Sequence, residues 1–186
     1  TDCVAVAPYM YDVAAAAAGV SLLDYYTDAE VMAHAQLMLH ERLDQDVISV
    51  GSDNFYIAEG FGCRTTHEEQ ELPALISPAV DSLQDVFAAQ PLDPHVDGRM
   101  PLMLEAARRV VKEANGELFV EANIDSGPFQ LLLTLRGSEA GCVDVVEDVE
   151  RVHSFLEFAT QVVITPNVTG IATSLTPRTA ASIALM

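Results

Sequence analysis

The stretch from Val47 to Cys63 constrains the fold of this chain more than any other. It begins with an apolar run that predicts a buried strand, continues through the turn Gly51-Ser-Asp-Asn54, and ends in a helix-like segment closed by two glycines. This order places Asp53 at the carboxyl end of a strand. In folds that alternate strands and helices, that end of the strand usually carries the chemistry.

Strand and helix patterns alternate along the rest of the chain. Strands are predicted at 4–9, 46–50 and 118–123, and helices at 14–18, from 27 onwards, at 102–112 and at 148–163. This alternation is typical of a parallel sheet covered by helices. Even with a weaker strand pattern at 168–172, such a small sheet would have unpaired edges. We therefore expect one domain, over residues 1–186, that forms part of a larger α/β sheet or barrel.

Capping and turn residues predict where several elements begin and end. Thr27, with Glu30 three residues later, forms a capping box. Ser77-Pro78 can start a short helix, because proline is favoured at the first helical position. Residues 65–72 are polar without a period, which indicates a loop, and three prolines mark residues 90–101 as a connector.

Charge and cysteine content exclude several classes of partner. The chain carries 28 acidic against 9 basic residues and a formal net charge of −19. Nucleic acid and anionic membrane surfaces both attract basic faces, so we expect neither as a partner.

The 3 cysteines are an odd number without repeated spacing. This indicates no disulfide framework and fits the reducing cytoplasm. No apolar run reaches the roughly 20 residues of a membrane span.

Five segments of the chain carry a family resemblance through their order and spacing. They are AAAAGVSLLDYYTD at 15–28, GSDNFYIAEGFG at 51–62, DGRMP at 97–101, SGPF at 126–129 and DVERVH at 148–153. Together they resemble the uroporphyrinogen decarboxylase superfamily, which includes porphyrin decarboxylases and cobalamin-dependent methyltransferases. The family fold is a (β/α)8 barrel, so the resemblance implies a partial TIM barrel of roughly the first four βα units.

The resemblance covers the N-terminal half of the family only. The segment LTPRT at 175–179 is similar to the family's Ser-Pro-Arg-type segment after the fourth strand. In the family a strand and part of a helix precede that segment, and neither is found here after Val163. We therefore expect a chain that is shortened internally as well as limited to half of the barrel.

Asp53 is the predicted catalytic residue. The resemblance implies that an acid here binds pyrrole N–H groups and stabilises positive charge in the decarboxylases. A fixed carboxylate in a dry pocket favours a cationic intermediate. The alternative is an ordinary helix N-cap, since Asp after a strand often caps the next helix, and one side chain could serve both roles.

Other residues near the two strand ends are predicted to bind substrate. Glu59 could face the barrel mouth or be a solvated helix residue, and Tyr56 could line the pocket or belong to the core. In the family the loop after the third strand borders the cleft, where Gly127 would let the backbone approach a ligand. The alternative for that loop is ordinary turn chemistry. The predicted substrate-binding residues are Asn54, Tyr56, Glu59, Asn123, Asp125, Ser126 and Gly127.

The sequence predicts no metal site and no bound cofactor. Cys63 and His67 have a Cys-x3-His spacing, but a zinc site needs three or four ligands. The family's methyltransferases use zinc to activate a thiol acceptor. The resemblance places those His and Cys ligands in the C-terminal half, so zinc would depend on residues absent from this chain. A corrinoid (cobalamin) would be a substrate.

Three hypotheses for function follow. No arginine precedes Arg42, whereas the decarboxylases carry an N-terminal arginine-rich segment for propionate carboxylates. The Tyr-Tyr-Thr-Asp and Gly-Ser-Asp-Asn-Phe patterns resemble the methyltransferase-like branch more closely. We therefore interpret the chain as an enzyme that transfers a methyl group between a corrinoid, free or protein-bound, and a small acceptor. The alternatives are a tetrapyrrole decarboxylase (a carboxy-lyase) and a non-catalytic half-barrel that self-associates as a homodimer.

Overall fold

A computed structural model describes residues 5–87, 92–124, 126–172 and 183–185 of the chain. The helices are α1 (Tyr11–Ala18), α2 (Leu22–Thr27), α3 (Ala29–Leu43), α4 (Leu83–Phe87), α5 (Met100–Ala114), α6 (Pro128–Arg136), α7 (Ser138–Glu147) and α8 (Val149–Ala172). The strands are β1 (Val47–Val50), β2 (Arg64–Thr65), β3 (Leu75–Ser77), β4 (Phe119–Ile124) and β5 (Ile183–Leu185). A short 3-10 helix spans Ala58–Phe61.

A parallel sheet in the order β1-β4-β5 forms the centre of the fold. Val47 lies opposite Phe119 and Val50 opposite Ala122, so β1 and β4 run side by side without a shift. The predicted α/β fold with parallel strands is confirmed. Because parallel strands end at the same edge, the turn after β1 and the loop after β4 become neighbours.

Two amphipathic helices cover the sheet. Buried residues of α5 recur at positions 103, 106, 107 and 110, which is the spacing of a single helix face. This face packs on α3, where Met32, Ala35 and Leu39 are also buried. The predicted helix at 102–112 is confirmed, and it ends where Asn115 adopts a left-handed conformation with φ 48°. Within the described residues, no helix is long and apolar enough to cross a membrane.

The predicted strand at 4–9 is wrong for its described residues, 5–9. Val6 is 57% exposed, so the apolar side chain that suggested a strand faces solvent. Val6 bonds to Asp46, the residue before β1: the Asp46 carboxylate accepts from the Val6 amide at 2.7 Å, and the Asp46 amide donates to Val6 O at 3.0 Å. Pro8 lacks an amide donor and cannot extend this pairing.

The strand expected at 168–172 is also wrong, because these residues belong to α8. Three of them are β-branched and favour a strand, but the helix that begins at Val149 continues through them. The strand that follows β4 in the sheet is β5, with Ala122 opposite Ile183. The LTPRT segment at 175–179 lies outside the described residues.

Two predicted helix starts fall elsewhere. The N-cap of α3 is Asp28 rather than Thr27, and its carboxylate accepts from the amides of Glu30 and Val31 at 2.7 and 3.2 Å. Ser77 does not start a helix, because it pairs with Arg64 in the β2–β3 hairpin. Thr65, which was expected in the loop at 65–72, lies in β2 of this hairpin.

Candidate functional site

Asp53 lies in the turn directly after β1, and its carboxylate has two structural partners there. Oδ1 accepts a hydrogen bond of 2.8 Å from the Phe55 amide, as a cap would. Oδ2 accepts from the Ser52 hydroxyl at 3.1 Å. Only 8% of the Asp53 side chain is exposed. Asp53 therefore stabilises a local turn rather than capping a helix, since the N-cap of the 3-10 helix that follows is Ile57.

Arg99 is the centre of the site, and its guanidinium holds both nearby carboxylates. Nη1 and Nη2 donate to the two oxygens of Asp53 at 2.7 and 2.9 Å, and Nε donates to Glu59 at 2.7 Å. Nη1 also donates to the Tyr26 carbonyl at 3.2 Å. A bidentate pair of this kind fixes orientation as well as charge. The arginine side chain is 11% exposed, so this arrangement is largely removed from water.

A glycine brings Arg99 into this position. Gly98 has φ 57°, in the left-handed region that favours glycine. A Cβ atom there would lie 2.5 Å from the Tyr56 carbonyl oxygen, closer than such atoms can approach. The same carbonyl accepts the Arg99 amide at 3.2 Å. The sequence DGRMP therefore folds against the segment after β1 and directs its arginine at Asp53.

Glu59 is not a solvated helix residue, because only 13% of its side chain is exposed. Beyond Arg99, its carboxylate accepts a hydrogen bond from the Thr65 hydroxyl. His67 Nε2 lies 3.3 Å from the same carboxylate and 3.1 Å from the Thr65 hydroxyl. Glu59 thus connects Arg99 to the β2–β3 hairpin, and a role in substrate binding stays a prediction.

The environment of Arg99 favours its charged form. Burial alone would lower the pKa of Arg99, but the hydrogen bonds and charge of Asp53, followed by those of Glu59, outweigh it. The pKa of Arg99 is therefore raised above its ordinary value. Two carboxylates therefore share one guanidinium.

A cavity of about 280 Å³ opens beside this cluster. Asp53 and Asn54 line it, so these two predicted site residues lie at a cleft. Its aromatic lining residues are Tyr9, Tyr11, Tyr26 and Phe55, and Asp12 adds a second carboxylate. Arg99 itself lies behind Asp53 and is not among the lining residues.

The loop after β4 meets the turn after β1, as the parallel register requires. The Ser126 hydroxyl, in the loop, donates to the Asn54 carbonyl of the turn at 2.9 Å. Nearby, the side-chain amide of Asn123 in β4 donates to the Tyr11 hydroxyl of α1 at 2.7 Å. Gly127 is the N-cap of α6 with φ −72°, so the position does not use the conformational freedom of glycine. Asp125 lies outside the described residues.

Tyr56 belongs to the core rather than to the cavity, since it is 1% exposed.

Cys63 is also buried and donates to the Thr134 carbonyl at 3.6 Å, and burial raises the pKa of its thiol to about 11. His67 turns to Glu59 instead of forming a metal pair with Cys63. Among the described side chains, no group of three or more His, Cys, Asp or Glu residues could hold a metal ion. We assign no metal-binding role to these residues.

Sequence reasoning missed Arg99 and four residues that line the cavity, Tyr9, Tyr11, Asp12 and Tyr26. Arg99 carried a detectable signal, because it is one of only 9 basic residues and follows a glycine within a family-like segment. Tyr9 gave no such signal, because it falls within the predicted strand at 4–9.

Comparisons with known proteins agree with this geometry. The family model described as Uroporphyrinogen decarboxylase (URO-D) matches residues 1–167. A solved structure of a "methyltransferase from Methanosarcina mazei" superposes with a TM-score of 0.84 at 19% identity. The match covers 100% of this chain and 54% of that one, so the chain spans about half the length of its structural neighbour. The fold is thus a partial TIM barrel. No curated protein matches the chain.

Proposed function

The chain belongs to the uroporphyrinogen decarboxylase family, and on this premise we propose that it is a methyltransferase-like member. Its reaction would be methyl transfer between a corrinoid and a small acceptor. The site of a (β/α)8 enzyme draws residues from several strand ends. Since the chain spans 54% of its structural neighbour, the proposal concerns the contribution that these residues make to the site.

The charge of the cavity lining is the observation that carries this proposal. Among the described residues that line the cavity, none is a lysine or an arginine, whereas Asp12 and Asp53 are both acidic. Arg99, which pairs with the lining residue Asp53, already donates to two carboxylates and a carbonyl. A polycarboxylate porphyrinogen needs cations to neutralise its propionates. The lining therefore favours a small molecule over such a polyanion.

Within this proposal the residues of the site have separate roles. Asp53 would act at the cleft, because its carboxylate is both fixed and at the cavity wall. Arg99 is a positioning residue, since it acts through Asp53 and does not line the cavity. Asn54 would contact the small molecule, and Ser126 would hold the Asn54 backbone in place. The corrinoid would enter as a substrate carrying the methyl group on cobalt.

A tetrapyrrole decarboxylase is the second candidate. A carboxylate at the end of a barrel strand could stabilise a protonated pyrrole, and Asp53 lies at such a place. The acidic lining argues against this candidate. Self-association of a non-catalytic half-barrel also stays a hypothesis, motivated by the outer strands of the described sheet, β1 and β5.

Loss of the cobalt–carbon bond tests the proposal. Methylcobalamin and a small thiol are incubated with the protein, and the corrinoid absorbance is followed with time. We expect demethylation by the wild type and a loss of about tenfold or more in Asp53→Asn, because the variant removes a fixed charge from the site. Glu117→Gln is the matched control, since it removes one exposed carboxylate far along the chain. No demethylation by the wild type, with turnover of uroporphyrinogen instead, would favour the decarboxylase.

A further inference from the structure

The cavity beside Asp53 combines aromatic rings with carboxylates, and this combination is suited to one class of ligand. Three tyrosines and a phenylalanine line it, together with Asp12 and Asp53. The faces of aromatic rings are negative and attract cations, most strongly where water is excluded. We infer that the cavity binds a small organic ammonium cation. The inference goes beyond the proposed function and does not depend on methyl transfer.

Hydrogen bonds to side chains of β4 hold the Tyr9 and Tyr11 rings in place. The Tyr9 hydroxyl donates to Glu121 at 2.9 Å, and the Tyr11 hydroxyl accepts from Asn123 at 2.7 Å. Glu121 is 7% exposed and Asn123 2% exposed, so both anchors come from the buried strand β4. A phenol that donates to a carboxylate gains electron density in its ring, which strengthens attraction to a cation.

Gly51 provides the surface on which the Tyr11 ring rests. A Cβ atom at this position would lie 2.2 Å from the ring carbon Cζ, so any larger residue would displace the ring. The two tyrosine rings are 6.4 Å apart between centroids and tilted by 57°. The turn after β1 therefore shapes the aromatic lining as well as presenting Asp53.

The charges around the cavity also select a cation. Asp12 and Asp53 line it, and Glu121 lies behind Tyr9. The one arginine of the cluster, Arg99, is shared between Asp53 and Glu59 and offsets only part of this charge. A cleft lined by one sign of charge concentrates ions of the opposite sign. An anionic ligand would be repelled by the same groups.

The lining favours an organic cation over a metal ion. Ca²⁺ takes six to eight oxygen ligands at short distance. Within the residues that the structure describes, no cluster of three or more His, Cys, Asp or Glu side chains fits a metal. Aromatic rings offer surface rather than ligand atoms, and a cavity of about 280 Å³ has room for an alkylated nitrogen. Alkyl groups on the nitrogen spread its charge over the rings.

A pair of isosteric probes separates charge from shape. Choline carries a quaternary nitrogen, and 3,3-dimethylbutan-1-ol has the same outline with a neutral carbon in its place. Calorimetric titration of the whole chain with each probe gives the two dissociation constants. We expect choline to bind about tenfold more tightly, from the combined attraction of rings and carboxylates. Equal affinities for the two probes would overturn the inference. So would the absence of choline binding up to about 100 mM, because a dissociation constant above that concentration is too weak for a specific site.

Variants then assign the effect to the cavity. Tyr9→Leu removes a ring and Asp12→Asn a charge, and each should weaken choline binding by about threefold or more. Tyr9→Phe keeps the ring and should lose less affinity than Tyr9→Leu. Glu117→Gln removes an exposed carboxylate elsewhere and should bind as the wild type does. Circular dichroism of each variant verifies folding.

Two results would contradict this assignment. If Tyr9→Leu and Asp12→Asn bind choline like the wild type, the cation does not occupy the cavity. If Tyr9→Phe loses as much affinity as Tyr9→Leu, the hydroxyl rather than the ring is responsible. If the chain binds choline but never demethylates methylcobalamin, only the proposed function is refuted. Demethylation without choline binding would remove only this inference.

Discussion

Two arginines of this chain make similar ion pairs in opposite surroundings. Arg99 donates to Asp53 and Glu59 from a side chain that is 11% exposed. Arg109 donates to Glu105 at 2.9 Å and to Glu30 at 3.0 Å, but its side chain is 43% exposed. The comparison shows what burial adds to the same chemistry.

Exposed pairs contribute little because water and salt screen them and long side chains lose entropy. A buried pair differs, since removal of one partner leaves a charge without compensation. The Arg99 pairs therefore act as a constraint: Asp53 cannot turn away from the cavity wall without breaking them. The Arg109 pairs constrain the surface between α3 and α5, and the packing of those helices does not depend on them.

The largest difference should appear when each arginine loses its charge. We expect Arg99→Met to lower the free energy of unfolding by about 3–5 kcal/mol, because two carboxylates remain buried without their partner. Arg109→Met should cost at most about 1 kcal/mol. Urea unfolding of both variants measures the two values. Losses of similar size would show that burial does not distinguish the two clusters.

Gly98 should be the next most sensitive position. Gly98→Ala must accept φ 57° and a Cβ atom 2.5 Å from the Tyr56 carbonyl oxygen. We expect a loss of about 2 kcal/mol or more in unfolding free energy, from strain and steric overlap together. Gly116→Ala is the control, since φ is 76° there but nothing lies within 4 Å of the new atom. That variant should lose only about 1 kcal/mol. Equal losses would mean that the close approach at Gly98 can relax.

Two cysteines extend the comparison to reactivity. Burial raises the pKa of Cys63 from an ordinary value of 9.0 to about 11, whereas Cys142 is exposed. At pH 9 we expect iodoacetamide to modify Cys142 well before Cys63, because the thiolate is the nucleophile. Mass spectrometry of peptides identifies each site. Equal rates would place Cys63 in contact with solvent.

The same thiol should make stability depend on alkaline pH. A folded-state pKa above the unfolded value means that the folded chain binds more protons between the two. The contribution of Cys63 is then complete below pH 9 and is lost as the pH rises towards about 11. The Cys63→Ala variant should show a smaller decline over this range in thermal unfolding. An unchanged slope would assign the decline to other groups.

Salt should have the smallest effect on the free energy of unfolding, and it should weaken the exposed Arg109 pairs but not the buried Arg99 pairs. At 1 M salt the Debye length falls to about 3 Å, so the exposed Arg109 pairs lose most of their attraction. The difference between the wild type and Arg109→Met should then disappear. The difference between the wild type and Arg99→Met should persist, because a buried pair is screened much less. Urea unfolding at two salt concentrations measures both.

The sequence was sufficient for elements whose pattern has one interpretation. The helix α5 has apolar residues on a single face, and β1 and β4 are short strands rich in apolar residues that lie between turns. Their alternation was enough to predict parallel pairing. The position of Asp53 at the end of β1 followed from the same reasoning. These predictions rest on local periodicity, which survives in the folded chain.

The sequence was not sufficient where a distant residue decides the outcome. Residues 5–9 look like a strand, but a strand also needs a partner strand, and Val6 bonds instead to Asp46, which lies before β1. The sequence around Asp53 allows either a cap or a lone catalytic carboxylate. Its ion pair with Arg99, 46 residues further along the chain, has no local signature. The close approach of Gly98 to Tyr56 brings them together, and spacing alone cannot predict it.

The coupling between Asp53 and Arg99 is the most direct test of the claim that the arginine fixes the carboxylate at the cavity. A double-mutant cycle with Asp53→Asn and Arg99→Met, followed by urea unfolding, measures this coupling free energy. The same cycle with Glu105→Gln and Arg109→Met serves as the exposed reference. We predict about 2 kcal/mol or more for the buried pair and below about 1 kcal/mol for the exposed pair. Coupling of the buried pair that falls to the level of the exposed pair would contradict the claim.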